Sequence, residues 1–230
     1  MNTFNNTLTL VACGAAFVSS AGAATLVDTF DSGLGNWTTS GDVAIHNAGS
    51  NPAAVLTTAH STLEFSPDDI NVSGADPLEA GGDLETAVGV TVGALDLDAF
   101  DMATEGSAMS LTIVVAAGDT LTFDWTLATL DGFGLDYGFL AIDGAVVQIL
   151  SSADATLSTG GGFGTETAVA TVSHEFANAG EVTISLGVTD ITDYAGTTSL
   201  FVDNVQVIPE PSAAWLGLIG FASLLRRRRA

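Results

Sequence analysis

Four arginines stand side by side near the end of this chain, Arg226 to Arg229, and no lysine or other arginine occurs anywhere in its 230 residues. Whatever precedes them must fold without a Lys or Arg ion pair. Residues 25–208 hold 26 of the 27 acidic residues and no basic ones, a formal charge of −26. The like charges of such a body must be offset by packing, by screening or by bound cations. The composition also removes whole classes of chemistry. Without lysine there is no Schiff base and no phosphate-cradling P-loop, and without arginine there is no bidentate phosphate clamp. A field of this sign repels nucleic acid and anionic lipid surfaces.

At 184 residues the body can bury one sizeable core. Its texture is that of short strands: Thr, Val, Ile, Leu and Phe alternate with small or polar residues, in runs broken by Gly, Asp and Asn. The pattern predicts strands at 25–30, 42–45, 54–58, 109–116, 120–127, 137–142, 145–150, 168–176, 182–188 and 199–207. Asp143-Gly144 between two of these is a hairpin turn signal. Ala117-Gly118-Asp119 and Ala179-Gly180-Glu181 read as tight turns ahead of strands. No long segment shows helical periodicity with caps, and residues 66–85 read as a polar, acidic surface loop. The expectation is all-β: a two-sheet antiparallel sandwich.

The tail is built differently. Pro209-Glu210-Pro211-Ser212 sets a stiff, extended boundary. Ala213 to Leu225 is an apolar run of thirteen residues. As a helix it would be about 20 Å long, short against a bilayer core of about 30 Å. The arginine block would stay on the cytoplasmic side. This order of parts at the terminus resembles the PEP-CTERM protein-sorting signal. The resemblance implies an exported protein of a Gram-negative bacterium that makes extracellular polysaccharide. It also implies transient anchoring in the inner membrane by a short transmembrane helix, and processing by exosortase. Delivery would be to the cell surface or the polysaccharide matrix. Pro209, Glu210 and Pro211 are then the sorting motif, and Arg226, Arg227, Arg228 and Arg229 the stop-transfer block.

Residues 1–24 read as a signal peptide, with an apolar stretch from Leu8 to Val18 and small residues at Ala21-Gly22-Ala23. Met1 to Thr9 carries no positive side chain, a departure from the usual n-region. Cys13, the one cysteine, stands in a Leu10-Val11-Ala12-Cys13 run similar to a lipobox. The apolar run continues past Cys13 to Val18 and the Ala-Gly-Ala site follows, so Cys13 reads as a small residue inside the signal peptide in preference to a lipidation site. In neither case does the body have a disulfide. The organisation expected is thus 1–24 signal peptide, 25–208 ectodomain and 209–230 sorting signal.

Phe30-Asp31-Ser32-Gly33-Leu34-Gly35-Asn36-Trp37 and Leu200-Phe201-Val202-Asp203-Asn204-Val205 resemble the first and last strands of jelly-roll modules, carbohydrate-binding and galactose-binding-like ones among them. Glu105-Gly106-Ser107 and Gly118 to Trp125 are similar to central strands of PEP-CTERM ectodomains. The resemblance implies that an early and a late aspartate share a structural Ca²⁺. Asp31 and Asp203 are the candidates, and oxygen ligands suit that ion. Trp37 and Trp125 are the candidates for stacking on a sugar ring.

Other constellations fall short of chemistry. Asp31-Ser32-Gly33 has no second copy to form an aspartic-protease pair. His46, His60 and His174 lack metal-ligand spacing. No Gly-x-Ser-x-Gly elbow supports a serine triad. Asp96, Asp98, Asp101 and Glu105 read as a solvated acidic face without EF-hand spacing. The sequence therefore points to a non-enzymatic exported protein with a structural or adhesive role. A carbohydrate-binding module, with or without Ca²⁺, is the alternative. A hydrolase using a carboxylate pair comes third.

Overall fold

The computed structural model describes residues 26–48, 51–62, 70–132, 135–158 and 162–210. The signal-like segment, Pro211, the apolar run and the arginines lie outside these residues. In chain order the elements are β1 (Val27–Asp28), β2 (Thr38–Ser40), β3 (Asp42–Ala48), β4 (Asn51–Thr57), β5 (Leu78–Glu79) and α1 (Asp83–Val88). There follow β6 (Ala103–Val115), β7 (Thr120–Thr129), β8 (Tyr137–Ile142), β9 (Ala145–Ser151) and β10 (Leu157–Ser158). The last are β11 (Thr165–Glu166), β12 (Ala170–Glu175), β13 (Gly180–Ile191) and β14 (Thr198–Ile208).

The strands form two antiparallel sheets. The first runs β10-β11-β7-β14-β4-β3, with β12 also on β7 and β1 also on β14. The second runs β2-β6-β13-β8-β9, with β5 also on β6. Alternation explains the layering, since side chains two apart share a face. Leu121, Phe123 and Leu127 of β7 and Leu200 and Val202 of β14 meet Ile184, Leu186 and Val188 of β13 and Leu140 of β8 in one core. Asp143 and Gly144 both have positive φ, 46° and 83°, and close the β8–β9 hairpin as their sequence foretells.

β14 contains the irregularity that matters. Its register on β7 shifts between Asp203 and Gln206, with Asn204 at φ 54°. Leu200 and Val202 face the core before the shift, Val205 and Val207 after it. This bulge lets both halves of the strand bury apolar residues while Asp203 leaves toward the outside.

Residues 78–102 correct the last part of the surface-loop reading of 66–85 and add one short helix to the all-β expectation. Leu84 and Val88 of α1, with Val90 and Leu95, pack on Ala108, Tyr137, Phe139 and Ile191, on the outer face of the second sheet. Six residues cannot hold a helix alone; packing and caps do so. The Glu85 carboxylate accepts from the N–H groups of Gly81, Gly82 and Gly93 at 3.1, 2.9 and 3.2 Å. The end of the Phe139 ring lies against Gly187, where a Cβ would sit 2.3 Å from it. Residues 70–77 are fastened too: buried Asp42 accepts from Thr57 Oγ1, from Val72 N–H at 2.9 Å and from Ser73 N–H at 2.7 Å.

Candidate functional site

The outer face of the first sheet carries a cleft of about 220 Å³ bounded by Asn51, Asp124, Trp125, Phe201, Asp203 and Asn204. Period-two alternation places Asp124, Phe201 and Asp203 on this outer face, the bulge adds Asn204, and Trp125, of the core-facing parity, borders the cleft. Asp124 and Asp203 are direct cross-strand partners on β7 and β14, two carboxylates side by side. With no lysine or arginine in residues 1–225, such a pair must be held by neutral donors. Asn204, on the bulge, donates its Nδ2 to Asp124 Oδ2 at 2.9 Å, and Thr171 Oγ1 donates to Asp124 Oδ1 at 2.5 Å. Asn51 Nδ2 donates to Asp203 Oδ2 at 2.9 Å, and the Asn204 N–H to Asp203 Oδ1 at 2.7 Å. A carboxylate can accept about four hydrogen bonds. Each of these carboxylates therefore keeps acceptor capacity while its orientation is set.

Phe201 is fixed from its other side. It meets His46 and Phe163 edge-on at 5.4 and 5.2 Å between centroids, and His46 meets Phe163 at 5.5 Å. His46 is thus a packing residue on the aromatic wall. The cleft offers a rigid apolar wall beside oriented acceptors. It can receive a ligand with apolar faces and many hydroxyl donors, and it repels anions.

The sequence candidates fall in three places. Trp125 is partly buried against the core and contributes to this cleft. Trp37 is a correction: it is 6% exposed, tilted on Phe30, with its indole Nε1 donating to Asp28 Oδ2 at 2.9 Å. It presents no stacking face to a ligand. The first and last strands do pair, Val27 with Gln206 and Asp28 with Val205. Asp31 lies beyond that pairing in the following loop, where Thr29 Oγ1 donates to it at 2.7 Å. Asp31 and Asp203 line different clefts. Among the described residues no three His, Cys, Asp or Glu side chains gather as a metal-ion shell.

The acidic group at 96–105 is not a uniform solvated face. Glu105 is 0% exposed, with Oε2 2.6 Å from His60 Nε2. Asp98 accepts from the N–H groups of Phe100 at 2.7 Å and Asp101 at 3.0 Å, which hold its carboxyl below the usual range. That turn presents Phe100, 85% exposed, beside a third cleft with Glu79, Asp96, Met102 and Tyr194.

Asn51, Asp124, Phe201 and Asn204 escaped the sequence reading. Alternation places 124 with 126, and 201 with 203, on the outer face. Nothing in the sequence marks the bulge at 204, which sets the register of the rest.

Of Pro209-Glu210-Pro211 the first two residues are described. The Glu210 N–H donates to Asp119 Oδ1 at 3.3 Å, and its carboxyl lies against Gly118, so the segment rests on the β6–β7 turn.

No protein-family model matches the chain, and no curated protein matches it. Solved structures do. The K3 cleaved adhesin domain of Lys-gingipain from Porphyromonas gingivalis is 14% identical, covers 82% of this chain and 100% of its own, and has a TM-score of 0.49. TmCBM27, a carbohydrate-binding module studied for specific mannan recognition, is 16% identical over 82% of this chain and 99% of its own, TM-score 0.43. TmCBM61 in complex with beta-1,4-galactotriose is 12% identical over 79% and 94%, TM-score 0.40. At these identities and TM-scores the likenesses carry no inference about ligand or activity, and the reading of the cleft rests on its own residues.

Proposed function

We propose that this chain is an exported, non-enzymatic protein that binds a neutral polysaccharide in the Asp124–Asp203 cleft. One observation carries the proposal: two carboxylates are held by side-chain amides beside a fixed aromatic ring, in a body without a cationic side chain. Sugar rings have apolar faces for Phe201 and hydroxyls that donate to Asp124 and Asp203. The delivery half of the proposal rests on the tail. Exosortase would act near Pro209-Glu210-Pro211, the helix would anchor the chain transiently in the inner membrane, and the product would reach the cell surface or matrix. Structural Ca²⁺ at Asp31 and Asp203 is not part of this reading, because the two line different clefts.

Titration calorimetry against neutral and uronic-acid polysaccharides tests the binding half. Neutral chains are expected to bind and acidic ones not to, with no reducing ends released. Asp203→Asn and Asn51→Ala should each weaken binding by about tenfold, the equivalent of about one hydrogen bond. Preference for the acidic chains, or unchanged affinity in both variants, would contradict the site. Intact mass of the protein recovered from producing cells and medium tests the delivery half. A cytoplasmic product that retains its arginines would end it.

A further inference from the structure

At one end of the sandwich the gap between the sheets is filled by polar side chains rather than apolar ones. Asp136, just before β8, and Asp190, near the end of β13, are 4% and 2% exposed. Asp136 reaches across to the first sheet, where Thr198 Oγ1 of β14 donates to its Oδ2 at 2.6 Å. On its own sheet it accepts the Ile191 N–H on Oδ1 at 3.0 Å. Thr198 is tied to Thr129 of β7 through their hydroxyls at 2.7 Å. Its N–H donates to Thr58 Oγ1 at 3.0 Å, just after β4. The Asp190 side chain, one position before the Ile191 N–H that Asp136 accepts, lies beside Asp136 and the Thr58 hydroxyl, and its Oδ1 is buried with no hydrogen-bond partner. β7, β14 and the end of β4 from the first sheet therefore converge here with β13 and the start of β8 from the second.

The donors decide who holds the proton. Both oxygens of Asp136 are already acceptors, of an N–H and an O–H, which suits the ionised form. A hydrogen bond from Asp190 to it then needs a proton on Asp190. No arginine or lysine is present to neutralise a second charge. The other titratable groups facing the pair are Asp131 on the Asp136 side and Glu105, the cross-strand partner of Asp190. Glu105 meets His60, whose Nδ1 is 3.9 Å from Asp76. Two bare carboxylates here would face each other, and Glu105, in a site closed to water.

We propose that Asp136 and Asp190 form a proton-sharing latch between the two sheets, with the proton on Asp190 and the charge on Asp136, which loosens when that proton is lost to solvent. Burial first, with the like charge of Asp131 adding to it, pushes Asp136 up to about 6; burial first, then the like charge of Asp136, pushes Asp190 well above the ordinary carboxylate range. A carboxyl whose folded-state pKa is raised binds more protons folded than unfolded. Its stabilisation is complete below the unfolded value and disappears as pH rises through the folded one. Repulsion among the surface carboxylates has the same sign, so the latch must be separated from it by substitution.

The experiment is urea unfolding of the full chain from pH 4 to 8, for wild type, Asp190→Asn and His60→Gln. An Asn at 190 keeps a donor toward Asp136 and cannot lose it. In wild type the two raised carboxyls together should raise the unfolding constant roughly 100-fold per pH unit between about pH 4 and 6, and Asp190 alone should continue the rise above pH 6 at roughly tenfold per unit, above the surface background. Asp190→Asn should remove the part above pH 6 and leave roughly tenfold per unit below it, and His60→Gln should keep the wild-type profile. Infrared spectra of the folded wild type supply a readout that needs no variant. The C=O band of a neutral carboxylic acid should persist at pH 6, where exposed carboxylates are ionised. Absence of that band overturns the proposal. So does an Asp190→Asn profile parallel to wild type, or loss of the rise above pH 6 in His60→Gln.

Discussion

The two sheets of this sandwich share a core but treat their outer faces in opposite ways. The second sheet is covered: residues 78–102 lay Leu84, Val88 and Leu95 over Ala108, Tyr137 and Phe139 and form a second apolar cluster. The first sheet leaves a cleft, with Asp124, Asp203, Asn51 and Asn204 beside the Phe201 ring. Covering a face converts its aromatics into stability. Leaving it open while fixing each polar group by a neighbour yields an oriented surface. The same residue types serve both ends: Phe139 is held by what lies on it, and Phe201 by rings at its edge.

Four substitutions break or sharpen that contrast, from the largest effect down. Phe139→Ala on the covered face should cost about 3–5 kcal/mol in urea unfolding, because it opens a cavity under α1. Polysaccharide affinity per folded molecule should not change. Gly187→Ala forces a methyl into the Phe139 ring and should cost about 1–3 kcal/mol by the same measurement. Asp203→Asn on the open face should reverse the pattern, with stability within about 1 kcal/mol of wild type and binding down about tenfold. Relief of the Asp124–Asp203 repulsion partly offsets any lost hydrogen bond there. Phe100→Ala, on the exposed turn, should stay within about 0.5 kcal/mol and leave binding in the Asp124–Asp203 cleft intact. A binding loss there instead would move the site to the cleft beside Tyr194.

Much of the sandwich is legible in the sequence, and the reasons are local. Tyr137 to Leu150 shows two alternating runs around Asp143-Gly144, and β8 begins and ends where those runs predict. β6 and β13 extend beyond their expected ends, because pairing with each other continues through the polar positions Glu105 and Asp190. The covering segment was not legible. α1 has only six residues, and its cap donors come from glycines at 81, 82 and 93 that read as breakers. The site was half legible. Asp203 and Trp125 stood out by type, yet Trp37, of the same type, is core because Asp28 satisfies its indole. Asn204 becomes meaningful only through a bulge that is a property of the β7–β14 pair.

The central claim is that the open face of the first sheet is the ligand surface. Backbone-amide NMR of the body titrated with a neutral oligosaccharide tests it most directly. The expected result is saturable shifts confined to Asn51, Asp124 to Thr126, and Phe201 to Asn204. Shifts centred on Phe100, Met102 and Tyr194, or none with any neutral oligosaccharide, would contradict it.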